Sequence, residues 1–295
     1  MAPEKTTGNR LLDSYDVFLF DADGVLWLGD QVIPGAVDAI NKLIDLGKQV
    51  LVITNNSTKT SDQFAQKISK LGFKKLSASK VISPAMVVSE YLTLDPRSKE
   101  LPVYLIGTKN LESMINAAGI KTFGTGADNL DSDVNGFVES IDLSRKVFAV
   151  VTSYDPHFNY VKLTKAVNYI KDPDVQFIAT NEDKTFPTSV PGMIVPGAGS
   201  SSLSVRAISG RTPVVMGKPH SSMFEYISRN FNINPNRTLM VGDRCDTDIW
   251  FGNSNNLDTL LVLTGVHDLA YVGSIENDKD LVPKYYADSI NVFLE

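Results

Sequence analysis

Two carboxylates close the first apolar run of this chain. In VFLFDADGVLW, residues 17–27, a strand-forming stretch leads into Asp21 and Asp23, with Gly24 behind them. A strand interior does not tolerate two unpaired carboxylates, so both are expected at the strand's C-terminal end, where side chains two residues apart share a face. In an open α/β sheet that edge is where ligands bind. Other apolar runs end in complementary groups. QVLVI at 49–53 leads into Thr54, Asn55, Asn56 and Ser57, the run at 213–216 into Gly217, Lys218 and Pro219, and TLMV at 238–241 into Gly242 and Asp243. Asp21, Asp23 and Asp243 offer hard oxygen ligands, and converging carboxylates repel one another strongly. A Mg²⁺ ion relieves that repulsion, and it is usually held by one or two carboxylates plus waters and a substrate phosphate. Thr54 brings a hydroxyl, Asn55 and Asn56 bring donors, and Lys218 brings a cation, the groups that hold a phosphoryl oxygen.

Each piece alone has a plainer reading. DADG can be a turn, TNNS an N-cap cluster for the next helix, and GKP a turn, since the phosphate-cradling G-x-x-x-x-G-K-[ST] spacing is absent. Their order and their shared place after strand-like runs favour a joint site. The elements that must position them alternate as βα units. Helices are expected over 38–46, 61–71, 111–118 and 160–170, and strands over 49–53, 103–106, 147–151, 175–179, 213–216, 238–241 and 260–263. PGAGSSS at 196–202 and LDPRSK at 94–99 read as the most linker-like segments.

The 295 residues, 43% of them hydrophobic, suffice for two ordinary domains, which is the expectation. A formal net charge of -6 gives no long-range attraction to nucleic acid or anionic lipid, so an anionic substrate must be held by local features. The single cysteine, Cys245, excludes an intramolecular disulfide and agrees with a reducing compartment. MAPEKTTGNR lacks the apolar core of a signal peptide and no run approaches a membrane span, so a cytoplasmic protein is expected. His157, His220 and His267 stand far apart, which disfavours a histidine-rich zinc site.

The ordered series DADGVLW (21–27), VITNNS (52–57), MGKP (216–219) and VGDRCDTD (241–248) resembles the four motifs of the haloacid dehalogenase-like superfamily. The likeness is strongest to its phosphoglycolate phosphatase, 4-nitrophenylphosphatase and pyridoxal phosphatase group, through YDPHFNYVKLTKA (154–166) and NPNRTLMVGDR (234–244) as well. It implies a Rossmann-like doubly wound parallel α/β core from residues 1–98 and 212–295, with 99–211 inserted as an α/β cap of the C2 type. It also implies that Asp21 is the nucleophile and Asp23 the general acid/base, which lends a backbone carbonyl to Mg²⁺. Asp243 becomes a metal ligand, Asp248 a support of the metal shell, and Thr54, Asn55 and Lys218 the ligands of the transferred phosphoryl group, with Asn56 nearby. Cys245 falls at a variable loop position. A homodimer joined through the caps is implied too.

The chemistry is coherent on its own terms. A carboxylate that attacks a phosphate monoester needs charge compensation, and a leaving alkoxide needs a proton, which Asp23 can supply. A dehalogenase needs no such proton, so the second acid favours a phosphatase or phosphomutase. The expected substrate is a small phosphorylated metabolite, 2-phosphoglycolate first, with 4-nitrophenyl phosphate also hydrolysed and pyridoxal 5′-phosphate as the alternative. A phosphotransferase or mutase would share every residue and differ only in the acceptor. A non-catalytic binding relative would lack Asp21 or Asp23. Substrate choice is expected in the segments 154–158 and 181–188, with His157 a candidate contact.

Overall fold

The computed structural model describes residues 3–128, 134–186, 190 and 192–295. The chain divides into two compact units, one of Met1–Thr54, Ser61–Ile82 and Lys218–Glu295, the other of Asn55–Thr60 and Ser83–Gly217.

The first unit is built on a seven-stranded, all-parallel sheet in the order Glu4–Lys5, Tyr285–Ala287, Asp258–Val262, Thr238–Gly242, Val17–Phe20, Gln49–Ile53, Val81–Ile82. Parallel strands covered on both faces read as unbroken apolar runs, and Val17–Phe20 and Thr238–Gly242 are buried along their whole length. The chain spreads to either side of Val17–Phe20, so the switch in strand order lies at that strand. Phe20 pairs with Val52 on one side and Val241 on the other. Asp21 is therefore the first residue past the central strand, while Thr54 and Asp243 each stand two residues beyond a partner of Phe20. Helix Ala36–Asp45 covers the sheet with a stripe of Ala36, Ala39, Ile40 and Leu43. Phe293, in the final turn Ile290–Leu294, packs edge-on against Phe18 and Phe20 at 5.5 and 5.7 Å between ring centroids.

The second unit carries five parallel strands in the order Val214–Val215, Gln176–Ala179, Ala149–Thr152, Val103–Ile106, Thr122–Phe123. Helix Lys109–Ala117 is capped by Thr108, whose hydroxyl accepts from the Leu111 N–H, and helix Tyr160–Tyr169 by Asn159, whose side chain accepts from the Lys162 N–H. Lys162 and Asp155 form an ion pair at 2.5 Å with neither side chain accessible.

Several elements differ from the sequence reading. The strand expected over 213–216 forms as Val214–Val215 but pairs with Ile178 and Ala179, which ties it to the second sheet. An apolar run reports burial and not the identity of the neighbour. Helix Pro84–Thr93 falls in the same unit, so that unit runs from Ser83 to Gly217 where 99 and 211 were expected. PGAGSSS is no linker, since helix Gly199–Ser209 begins inside it, and LDPRSK contains the short helical turn Pro96–Lys99. Among the described residues no helix is long and apolar enough to cross a membrane.

Phe293 is fully buried against the strand that leads into Asp21. Phe293→Ala is expected to lower unfolding stability in urea by about 3–5 kcal/mol, the usual cost of a truncated buried ring. A loss below about 1 kcal/mol would show that the final turn does not brace that strand.

Candidate active site

The first unit gathers its chemistry where Val17–Phe20 ends. The Asp21 N–H continues the sheet ladder by donating to the Val241 carbonyl at 2.8 Å, which fixes the backbone from which its carboxylate projects. That carboxylate is ion-paired with the Lys218 ammonium. Lys218 also donates to Asp248 Oδ1 at 2.8 Å and to the Ile53 carbonyl at 3.0 Å, so its head is held by three acceptors. Asp248 lies on the wide turn Cys245–Ile249, and its other oxygen accepts from the N–H groups of Asp243 and Arg244 at 3.2 and 3.1 Å. Asp243 in turn accepts at Oδ2 from the Val266 N–H at 2.8 Å. Asp248 thus shapes the loop that presents Asp243.

Asp21, Asp243 and Asp248 each bring a carboxylate oxygen within 4.8 Å of the others. Burial pushes the Asp21 carboxyl well above the ordinary carboxylate range; Lys218 opposes the rise, and Asp248 and Asp243 add to it. Asp243 is pushed up to about 7, by burial first and by the charge of Asp248 next. Burial works to lower the Lys218 pKa, but the charges of Asp21 and Asp248 more than reverse this and leave it raised. One ammonium does not neutralise three clustered carboxylates, two of them buried. Asp243 Oδ1 is buried and has no hydrogen-bond partner among the described residues. An all-oxygen donor set with one orphaned carboxylate oxygen fits a hard divalent cation such as Mg²⁺, and offers no soft ligand for zinc.

The remaining residues singled out in the sequence divide between the two units. Asp23 is half-buried beside Trp27, where Gly24 N–H donates to the Trp27 carbonyl at 2.8 Å, and it stands outside the three-carboxylate cluster. Thr54 is buried, and its N–H donates to the Ile82 carbonyl at 3.0 Å. Asn55 and Asn56 belong to the second unit. Asn55 Nδ2 donates to Asp183 Oδ1 at 3.0 Å, its carbonyl accepts from Asn181 Nδ2 at 2.7 Å, and Asn56 Oδ1 accepts from the Thr58 N–H at 2.9 Å. In the same unit Tyr154 stacks on Phe186 at 5.1 Å, and the His157 N–H donates to Asp155. Residues 187 and 188 of the expected specificity segment lie outside the described residues. Cys245 is buried, and burial pushes its thiol up to about 12, which disfavours the thiolate. Val266 and Asp183 were not legible as partners in the sequence. Val266 acts through its backbone N–H, which any residue type but proline supplies, and Asp183 sits in no recognisable motif.

A family model described as haloacid dehalogenase-like hydrolase matches residues 18–121, and a second, described as HAD-hydrolase-like, matches residues 215–291. A glycerol-3-phosphate phosphatase of Rattus norvegicus is 38% identical over 295 residues, covering 95% of this chain and 90% of its own. The chain belongs to the haloacid dehalogenase-like hydrolases. A putative NipSnap protein of Caenorhabditis elegans is 50% identical over 260 residues, which cover 86% of this chain; the match spans about half, 49%, of that relative's length. Among solved structures, a glycerol phosphate phosphatase from Mycobacterium tuberculosis in complex with magnesium superposes with a TM-score of 0.77 at 26% identity, covering 98% of this chain and 78% of its own.

If the carboxylate cluster of this hydrolase binds a divalent cation, Mg²⁺ at about 100 times its dissociation constant should stabilise the fold by about 2.7 kcal/mol. A thermal-shift titration is expected to show a rise in melting temperature that Asp243→Asn abolishes. An equal rise in the variant would place the ion elsewhere.

Proposed function

We propose that this haloacid dehalogenase-like hydrolase cleaves small phosphate monoesters through an aspartyl-phosphate on Asp21, with Mg²⁺ as its metal. The enzyme is a phosphoric monoester hydrolase, as its phosphatase relatives support. The observation that carries the reading is the meeting of Asp21, Lys218, Asp243 and Asp248 at the end of the central strand. Asp21, Asp243 and the backbone carbonyl of Asp23 would hold the metal, with Asp248 supporting the shell. When bound, Mg²⁺ offsets the mutual repulsion of nucleophile and phosphate.

The protein groups carry the rest. Asp21 attacks phosphorus, and the bond from phosphorus to the ester oxygen breaks as the new acyl-phosphate bond forms. Asp23 gives its proton to the departing alkoxide, so the alcohol leaves neutral. A water then attacks the aspartyl-phosphate and loses its proton to Asp23, which releases inorganic phosphate and restores both carboxyl groups. Thr54, Asn55 and Lys218 hold the phosphoryl oxygens through both steps, with Asn56 nearby. The proposed substrate is a small aliphatic monoester, 2-phosphoglycolate first and glycerol 3-phosphate second, the latter being the compound named in the rat relative. The inserted unit, which carries Tyr154 and His157, is proposed to set that choice.

Two measurements test this reading. Steady-state comparison with Mg²⁺ is expected to give a higher kcat/KM for 2-phosphoglycolate than for pyridoxal 5′-phosphate, and the reverse order would overturn the substrate assignment while leaving the chemistry intact. Asp23→Asn is expected to lose about 10²- to 10⁴-fold in kcat on alkyl phosphates and clearly less on 4-nitrophenyl phosphate, whose leaving group departs without a proton. An equal loss on both would mean that Asp23 is not the proton donor.

A further inference from the structure

The segment from Asn181 to Asp183 meets Asn55, and the Gly- and Ser-rich stretch at 196–202 packs on that segment; nothing in the cycle above uses either. Residues 55–60 follow Thr54 directly in the chain but are anchored within the second unit. Ser57 Oγ lies 2.9 Å from Ser153 Oγ, which accepts from Thr180 Oγ1 at 3.0 Å, and all three residues are buried. The Thr58 carbonyl accepts from Asn110 Nδ2 at 2.8 Å, and the Asn55 carbonyl from Asn181 Nδ2 at 2.7 Å. The backbone of the loop is therefore held along its length by the inserted unit.

The side chain of Asn55 is held as well. Its Nδ2 donates to Asp183 Oδ1 at 3.0 Å, and an ionised carboxylate only accepts, so this contact fixes which end of the amide faces Asp183. The amide oxygen lies on the other side, against Gly217: a Cβ at that position would come within 2.7 Å of Asn55 Oδ1 and 2.8 Å of the Thr180 carbonyl. Asp183 is itself clamped. Its N–H donates to Asn181 Oδ1 at 3.0 Å, and its carbonyl accepts from the Gly199 N–H at 3.0 Å. A Cβ at Gly199 would meet the Glu182 carbonyl oxygen at 2.5 Å, so the stretch is glycine-rich there because the start of helix Gly199–Ser209 lies directly on the backbone of Glu182 and Asp183.

We propose that Asp183 is a positioning residue of the phosphatase reaction, which orients the Asn55 amide towards the transferred phosphoryl group and is fixed for that task by Asn181 and Gly199. The proposal rests on the reading of Asn55 as a phosphoryl ligand. A hydrogen bond to a charged partner that both orients and polarises an amide is strong enough for its loss to be read kinetically.

The test is a double-mutant cycle on the full chain with Mg²⁺ and 4-nitrophenyl phosphate, using Asn55→Ala, Asp183→Ala and the pair, with Asp183→Asn as the conservative variant. Asp183→Ala is expected to lower kcat/KM about 10- to 100-fold and to weaken inhibition by inorganic phosphate by a similar factor, with its melting temperature close to that of the wild type. Asp183→Asn keeps an acceptor oxygen and should recover most of both losses. The pair should be no slower than Asn55→Ala alone. Should Asp183→Ala fail to fold, Asp183→Ser, whose hydroxyl is too short to reach Asn55, takes its place in the cycle. Wild-type kinetics in the Asp183 variant, or penalties that multiply in the pair, would overturn the positioning role while leaving Asn55 as a ligand. Wild-type kinetics in Asn55→Ala would overturn both.

Discussion

Two buried carboxylates and a third that is mostly enclosed meet one lysine at the end of the central strand, and this imbalance of charge is the constraint around which the first unit is organised. Lys218 is bonded to Asp21 and Asp248 and so compensates part of the cluster, while Asp243 keeps an oxygen buried without a partner among the described residues. Such an arrangement costs stability unless a further positive charge enters it. The fold supplies the place for that charge. A parallel sheet in which the strand order switches at Val17–Phe20 brings the ends of neighbouring strands to one edge, where Asp21, Thr54 and Asp243 follow.

The rigidity of the cluster comes from backbone donors as much as from side chains. Asp248 accepts two consecutive N–H groups, Asp243 accepts the N–H of Val266, and the His267 N–H donates to the Asp243 carbonyl. Behind these loops His267 accepts the Cys245 N–H and stacks on Tyr271 at 3.7 Å. In the proposed reaction, a nucleophile placed by sheet hydrogen bonds and a metal ligand placed by a bonded loop would lose little orientational freedom on binding substrate, which is the condition under which fixed charges contribute most to lowering a phosphoryl-transfer barrier.

What the sequence disclosed and what it hid follow from the physics of each segment. DADG, MGKP and VGD were legible because polar residues directly after long apolar runs must emerge at strand ends, where solvent or ligand can meet them. The strand at 214–215 was legible as a strand, but its partner was not, since a parallel pairing with Gln176–Ala179 leaves no local mark in either sequence. PGAGSSS read as a linker because glycine and serine are the residues of flexible loops, whereas here glycine serves close backbone packing and the serines bond to carbonyl groups within and beyond their own helix. Strands of two residues such as Glu4–Lys5 and Val81–Ile82 are too short to show any period. Asn55 was expected as a donor to a phosphoryl oxygen, whereas its attachment to Asp183, 128 residues away, is a product of the fold alone.

In the proposed reaction Asp21 becomes covalently phosphorylated. This step is tested most directly by mixing the enzyme with Mg²⁺ and a saturating phosphate monoester, quenching in acid within the first turnover, and locating the phosphoryl group by peptide mass spectrometry. One phosphoryl group is expected on the peptide that contains Asp21, labile to hydroxylamine as an acyl phosphate is, and absent from Asp21→Asn. Burst release of alcohol with the phosphoryl group on another residue, or turnover with no covalent species under conditions that trap it in a known phosphoaspartate enzyme, would contradict the proposed reaction.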